Sequence, residues 1–244
     1  MGFSDLFYPW GFILQLLALL HFFRRRPEGY WFFVILFFGA LGSLIYFLAE
    51  VVPDFGLLRA TFRRRARQRR LKELEIIVED NAAVGNLEEL ADLSFDEGQF
   101  ARARELYDRV LKASRPTSVD PFYRRGLSAL ALGDPAAAVA DLERVVAQEP
   151  KYDFYRATGM LASAYAMAGQ PDRAEAQFQS ATSISTLSET YFNYANFLAD
   201  QKRTEEARNW AQRILDKKRS MPRFAQRQER PWFQKAKALL KKLG

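Results

Sequence analysis

Eight Lys or Arg side chains fall between Leu58 and Lys72 with no acid among them, and the core of the run reads FRRRARQRRLKELE from Phe62. Such a cluster attracts phosphate, either on nucleic acid or on the headgroups of an anionic bilayer. Little else in the chain points to chemistry. There is one histidine, His21, and no cysteine, which excludes disulfides, thiol catalysis and zinc ribbons. No Ser/His/Asp set, metal-ligand spacing or phosphate-binding glycine loop is present. The chain is therefore expected to be no enzyme, with no catalytic residue, cofactor or metal.

The distribution of charge decides between the two anions. Residues 1–57 carry three Arg and four acids, residues 58–72 carry the eight cations, and residues 73–244 carry 25 bases against 25 acids. The formal excess of +7 thus sits in one short segment. The remainder is polarised, with 11 bases and 21 acids over 73–201 but 14 and 4 over 202–244. No aromatic side chains interleave with the basic run and no nucleic-acid fold follows it, so no nucleic-acid partner is expected.

What precedes the run is apolar. Residues 7–23 (FYPWGFILQLLALLHFF) carry no charge, and residues 31–52 (WFFVILFFGALGSLIYFLAEVV) carry only Glu50. At about 1.5 Å per residue, the second stretch is long enough for a hydrocarbon core of about 30 Å, and the first is slightly short. Tyr8, Trp10, Tyr30 and Trp31 stand at segment ends, where amphipathic rings favour the headgroup region. No basic residue precedes the first stretch and no small-residue cleavage site follows it, unlike a signal peptide. The pattern predicts a transmembrane hairpin over 1–57, turning at RRRPEG, with Gly39 and Gly42 packing its helices closely. His21 and Gln15 are expected to bond across to the partner helix or to reach the boundary.

A hairpin leaves both ends on one side, so Arg24–Arg26 compete with the run after the second helix. The larger cluster prevails, placing the body in the cytoplasm of an integral protein of a bacterial inner membrane. Arg63, Arg64, Arg65, Arg67, Arg69 and Arg70 then contact anionic lipid, each contributing about 1 kcal/mol. Leu71, Leu74, Ile77 and Val78 fall at helical spacing, so 58–82 reads as a juxtamembrane amphipathic helix. Over about residues 10–56 the hairpin resembles the amino-terminal membrane region of phospholipase-D-type cardiolipin synthases. Their chemistry needs two His-x-Lys motifs, and one histidine excludes it.

The rest repeats. GQFARARELYDRVL from Gly98, GDPAAAVADLERVV from Gly133, GQPDRAEAQFQSAT from Gly169 and KRTEEARNWAQRIL from Lys202 align. Three columns keep register: Ala103, Ala138, Ala174 and Ala207; Tyr107, Leu142, Phe178 and Ala211; Val110, Val145, Ala181 and Ile214. Each glycine should end a first helix in a left-handed conformation, each alanine should admit a close helix, and the larger residues should fill the space above it. Lys202 stands where the fourth glycine would be. Pro135 and Pro171 suit first turns, Asp134 suits a cap, and Asp120-Pro121 opens a helix.

These phrases resemble the tetratricopeptide repeat, a helix–turn–helix unit of about 34 residues. The resemblance implies an all-α chain: a solenoid over 83–220 with units at about 84–118, 119–153, 154–187 and 188–220. A capping helix follows over 221–244, its RPWFQKAKALLKKL starting with Pro231 in the first turn and Trp232, Phe233, Ala236, Leu239 and Leu240 on one face. The resemblance further implies a partner-binding groove lined by Glu88, Asp92, Phe95, Tyr123, Leu127, Arg156, Ser163, Met167, Phe192 and Asn196. Family members that clamp an acidic carboxyl-terminal tail carry Lys and Asn where this chain has Glu88, Asp92, Tyr123 and Leu127. A basic or neutral protein or peptide ligand is expected instead. The sequence thus reads as a membrane-anchored adaptor or scaffold. The alternative is a structural or assembly subunit of a membrane complex, with the hairpin packing on other transmembrane proteins.

Overall fold

Four times the chain stops a helix in the same way. Gly98, Gly133, Gly169 and Lys202 have φ of 76°, 75°, 71° and 62°. In each turn the amide of that residue reaches back to the carbonyl three before it, and the next amide to the carbonyl five before its own. The latter bonds are Gln99 to Ser94, Asp134 to Ala129, Gln170 to Tyr165 and Arg203 to Leu198, at 2.8, 2.9, 2.9 and 2.9 Å. This double bond satisfies the loose carbonyls of a helix end and requires a left-handed residue. Lys202 adopts that conformation despite its Cβ.

The computed structural model describes residues 3–25, 28–51, 56–113 and 118–244, with the side chains of 3–9, 25, 51, 56–64 and 223 excepted. Arg26 and Pro27 of the basic turn, and the side chains of Arg63 and Arg64, lie outside the described residues. The helices are α1 (Phe3–Arg25), α2 (Tyr30–Tyr46, continued by a π-helical turn Phe47–Val51), α3 (Gly56–Asp80), α4 (Val84–Asp96), α5 (Phe100–Ala113), α6 (Asp120–Ala131), α7 (Pro135–Gln148), α8 (Tyr152–Met167), α9 (Pro171–Ile184), α10 (Ser188–Asp200), α11 (Thr204–Ser220) and α12 (Arg223–Lys242). The chain divides into two units, Met1–Lys72 and Glu73–Gly244.

In the second unit the helices pair as α4–α5, α6–α7, α8–α9 and α10–α11. The alanine column is fully buried, and Tyr107, Leu142 and Phe178 above it are at most 1% exposed. Filling such positions stabilises by about 1.5–3 kcal/mol per side chain. Opposite lies a second small column on the first helices, Ala91, Gly126, Ala162 and Ala195. A Cβ on Gly126 would lie 3.2 Å from both Asp141 Cβ and Leu142 Cγ, so α6 and α7 meet there almost backbone to side chain. Asp134 caps α7 by accepting from the Ala137 amide at 3.1 Å, and Pro135 and Pro171 open their helices.

One boundary differs from expectation. α12 starts at Arg223, eight residues before Pro231, which lies inside the helix. Proline removes one backbone bond there, but Phe233, Ala236 and Leu239 are buried against α10 and α11 and hold the helix through it. At the other end, Leu74 and Val78 of α3 are buried and Glu75 pairs with Arg102 of α5 at 2.5 Å.

In the first unit α1 packs antiparallel on the start of α2. Phe22 meets Phe32 with ring centroids 5.9 Å apart, and Gln15 Nε2 donates to the Ile35 carbonyl at 3.0 Å. Tyr30–Glu50 is the one stretch among the described residues long and apolar enough to cross a membrane, by length and composition; Trp10–Arg24 is shorter. Yet it is not straight. A helix from Trp31 to Glu50 would extend about 28 Å, whereas Trp31 Nε1 donates to Glu50 Oε1 at 2.9 Å. The reversal is at Gly39, whose φ of 53° and ψ of −126° is open only to glycine. The expected straight second span is therefore corrected to two half-helices folded on each other. Gly39 makes the bend instead of packing on α1; the close approach to α1 is made by Gly11, where a Cβ would lie 3.0 Å from Ala40 Cβ. His21 does reach its partner helix, with Nδ1 2.8 Å from the Tyr46 hydroxyl.

Candidate functional site

The first helices of successive pairs are neighbours, α4 with α6, α6 with α8 and α8 with α10. A cleft of about 680 Å³ opens along them. Of the expected groove residues, Phe95, Tyr123, Leu127 and Arg156 line it. Tyr123 is largely buried, its ring 4.9 Å from that of Tyr152, and burial pushes its hydroxyl pKa up. It forms the cleft's floor more than a free contact.

Glu88 and Asp92 stand on α4, but the acidic stripe is not bare. Asp92 accepts from the Tyr107 hydroxyl at 2.5 Å. Arg124 of α6 reaches across to Asp92 at 3.5 Å and Asp96 at 3.6 Å, with its guanidinium 5.6 Å from the Phe95 ring centre. These pairs are long and loose, so they exchange for a ligand charge at little cost. Burial raises the pKa of Glu88, and the neighbouring Asp92 and Asp120 raise it further.

The opposite wall was missed from sequence. Tyr152, Asp153, Met160 and Glu189 line it. Arg156 joins two of them, pairing with Asp153 at 2.6 Å and with Glu189 at 3.0 Å. Burial raises the Glu189 pKa against the lowering influence of Arg156. Asp153, Phe154 and Tyr155 take φ of 46°, 53° and 66°, so α8 enters through a left-handed turn before its regular part. That turn brings Tyr152 and Asp153 to the cleft. With the third unit starting at 154, both residues had read as the tail of the second, and three successive left-handed non-glycine residues leave no sequence signal.

The other expected groove residues lie elsewhere. The Ser163 hydroxyl is turned into its own helix, donating to the Gly159 carbonyl at 3.1 Å. Met167 is exposed at the end of α8, and Asn196 is half-buried on α10. Phe192 is covered by the last helix, its ring 5.8 Å from that of Trp232. Among the described residues no group of three or more His, Cys, Asp or Glu is placed to hold a metal ion.

The tetratricopeptide repeat family model matches residues 123–187. The helical stack has the tetratricopeptide-repeat fold. Among solved structures, a MamA RS-1 double mutant is 22% identical, with a TM-score of 0.57 over 68% of this chain and 92% of that one. A second MamA structure is 20% identical, with a TM-score of 0.54 over 68% and 89%. YrrB, described as a tetratricopeptide-repeat protein with an unusual peptide-binding site, is 20% identical, with a TM-score of 0.53 over 66% and 81%. No curated protein matches. At this identity the tetratricopeptide-repeat stack shares a fold with these proteins and nothing narrower.

Proposed function

We propose that the chain is a membrane-anchored adaptor whose tetratricopeptide-repeat stack holds a basic or neutral peptide or protein segment in the cleft between α4 and α10. The observation that carries this reading is the composition of the cleft. Aromatic and apolar walls from Phe95, Tyr123, Leu127 and Met160 stand beside Asp96, Asp153 and Glu189, with two arginines already engaged to carboxylates. A cationic side chain entering there replaces Arg124 or Arg156 as partner of those acids, while its apolar neighbours cover the rings.

Anchoring rests on the first unit. Phe33, Phe37, Phe38, Leu41 and Leu48 are half or more exposed, an outward apolar surface suited to lipid. Because Glu50 returns to Trp31, α2 with its π-helical turn ends near where it began, on the side of the turn that follows Arg24. The two basic clusters then no longer compete, and both favour the cytoplasmic face of a bacterial inner membrane. Arg65, Arg67, Arg69 and Arg70 of α3 follow directly and meet anionic headgroups.

The test is capture from native membranes in mild detergent. Wild type is compared with Asp96→Lys/Asp153→Lys, after circular dichroism shows the variant folded. Loss of a stoichiometric partner in the variant supports the cleft. Retention of every partner removes it as the recognition site and shifts specificity to the apolar unit, as in the complex-subunit reading.

A further inference from the structure

The carboxyl end of the second unit carries a pocket of opposite character. The last turn of α11 and the first half of α12 enclose about 480 Å³ lined by Lys218, Arg227, Arg230 and Lys237, with the buried ring of Phe233 beneath them. No carboxylate is among its lining residues. The single acid of α12, Glu229, acts instead on Lys217, where it opposes the downward push of burial on that amine. Gln226 Nε2 donates to the carbonyls of Lys218 and Met221 at 3.0 and 2.9 Å, so the end of α11 offers the pocket fewer bare acceptors. Among the described residues, no ion pair holds any of the four cations, in contrast to Arg125, Arg173 and Arg203 on the same stack.

Four like charges in one cleft repel each other and favour a multivalent anion. Two arginines three residues apart present planar forks suited to phosphate oxygens. We propose that this pocket recognises the phosphate of an anionic lipid headgroup. Phe224, 69% exposed and one turn before Arg227, gives the cation cluster an apolar neighbour, the pairing found on helices that lie at a bilayer surface. The choice of a lipid over soluble phosphate also rests on the membrane reading of the first unit; the pocket's affinity for phosphate does not.

The experiment is calorimetric titration of the full chain in a neutral maltoside detergent. The probes are dioctanoyl phosphatidic acid, inorganic phosphate and a single-stranded oligonucleotide. The wild type should bind the lipid about tenfold more tightly than inorganic phosphate, and Arg227→Glu/Arg230→Glu should lose about tenfold of that affinity. Both positions are exposed, and Arg227→Lys/Arg230→Lys, which keeps the charge, should stay within about threefold of wild type. Since the basic run of α3 is intact in all three proteins, its background cancels. Unchanged lipid affinity in the Glu variant overturns the site. Equal affinity for lipid and inorganic phosphate overturns the headgroup assignment without touching the anchor, which the labelling test in the Discussion addresses separately. An oligonucleotide that binds more tightly than the lipid and loses that affinity in the Glu variant overturns it in favour of nucleic acid.

Discussion

The Arg125 guanidinium grips Asp141 with two parallel bonds, Nε to Oδ2 at 2.8 Å and Nη2 to Oδ1 at 2.6 Å. Its remaining fork reaches Asp108 at 2.7 Å, so one side chain of α6 ties α7 to α5 across a unit boundary. The Asp141 side chain is only 8% exposed. Removing one partner of such a pair leaves a buried charge unmatched. Arg125→Met should therefore destabilise the stack by about 2–4 kcal/mol, discounted for the partial exposure of the arginine. Arg125→Met/Asp141→Leu should recover most of that loss. Urea unfolding of both variants checks it, and additive losses would show the pair to be ornamental.

Gly159 and Thr190 give a second coupling. A Cβ on Gly159 would lie 2.6 Å from Thr190 Oγ1, and that hydroxyl is buried without a hydrogen-bond partner. Gly159→Ala should cost about 1–3 kcal/mol through overpacking. In Gly159→Ala/Thr190→Ala the 2.6 Å contact and the orphaned hydroxyl are gone and the nearest Thr190 atom left is Cβ at 3.3 Å, so the double variant should be more stable than Gly159→Ala alone. A double-mutant cycle measures the coupling directly.

Lys202 occupies a left-handed position that glycine fills in the other three turns. The conformation costs a side-chain-bearing residue about 1–2 kcal/mol, partly offset by the greater entropy glycine loses on folding. Lys202→Gly should accordingly stabilise by about 0.5–1 kcal/mol, and Gly133→Ala should destabilise by a similar amount. A loss of stability on Lys202→Gly would mean that the lysine makes a compensating contact.

One carboxylate of the cleft, Glu189, and one on α4 outside its lining, Glu88, titrate in the opposite sense to Glu143. Burial raises Glu88 and Glu189, so they take up protons above the ordinary glutamate value of about 4.3. A cationic ligand should begin to weaken as pH falls into that raised window, before ordinary carboxylates respond. The fold itself gains from these two on protonation, because the folded state binds their protons more tightly than the unfolded chain does. Glu143 is the reverse. The Tyr165 hydroxyl and Arg173 lower it, so its contribution is present above the ordinary value and is lost as pH falls through the lowered one. Ligand affinity and unfolding free energy followed between pH 7 and pH 3 should separate, affinity declining first. A simultaneous decline would place the sensitive groups in the fold and not in the cleft.

The bend at Gly39 makes a topological prediction. On the proposed anchoring, with α1 crossing and α2 folded back, the amino terminus and the repeats should lie on opposite faces of the bilayer. The chain has no cysteine, so Ser4→Cys and Ser183→Cys supply clean single labels. An impermeant maleimide should reach the two from opposite sides in sealed vesicles. Labelling from the same side would restore a straight hairpin, and no membrane association at all would remove the anchor. Gly39→Val, which cannot adopt the bend, should move the first label across.

The repeats were legible because their physics is periodic. A column of alanines at 103, 138, 174 and 207 has one structural meaning at that spacing, and burial follows. Lys202 was legible only as a departure, since nothing in a lysine codon announces a left-handed turn. Helix position fixes that Glu88 and Asp92 share a face of α4, but neither lines the cleft, whose acids are Asp96, Asp153 and Glu189. The cleft's far wall could not be read: Asp153 and Glu189 meet at Arg156, beside a turn whose dihedrals ordinary propensities disfavour. Gly39, read for close packing, makes a bend for a similar reason, as composition shows where a glycine is but not whether its missing Cβ or its free φ is used.

Trp232 lies over Phe192, and Lys235 sits 4.2 Å above the centre of the indole ring. Phe192 of the last pair of helices is therefore covered where a following unit would stack. A second copy of the chain would have to displace Trp232 and Lys235 to stack on Phe192. Lengthening by gene duplication is constrained in the same way, since a new unit that stacks on α10 and α11 must displace α12.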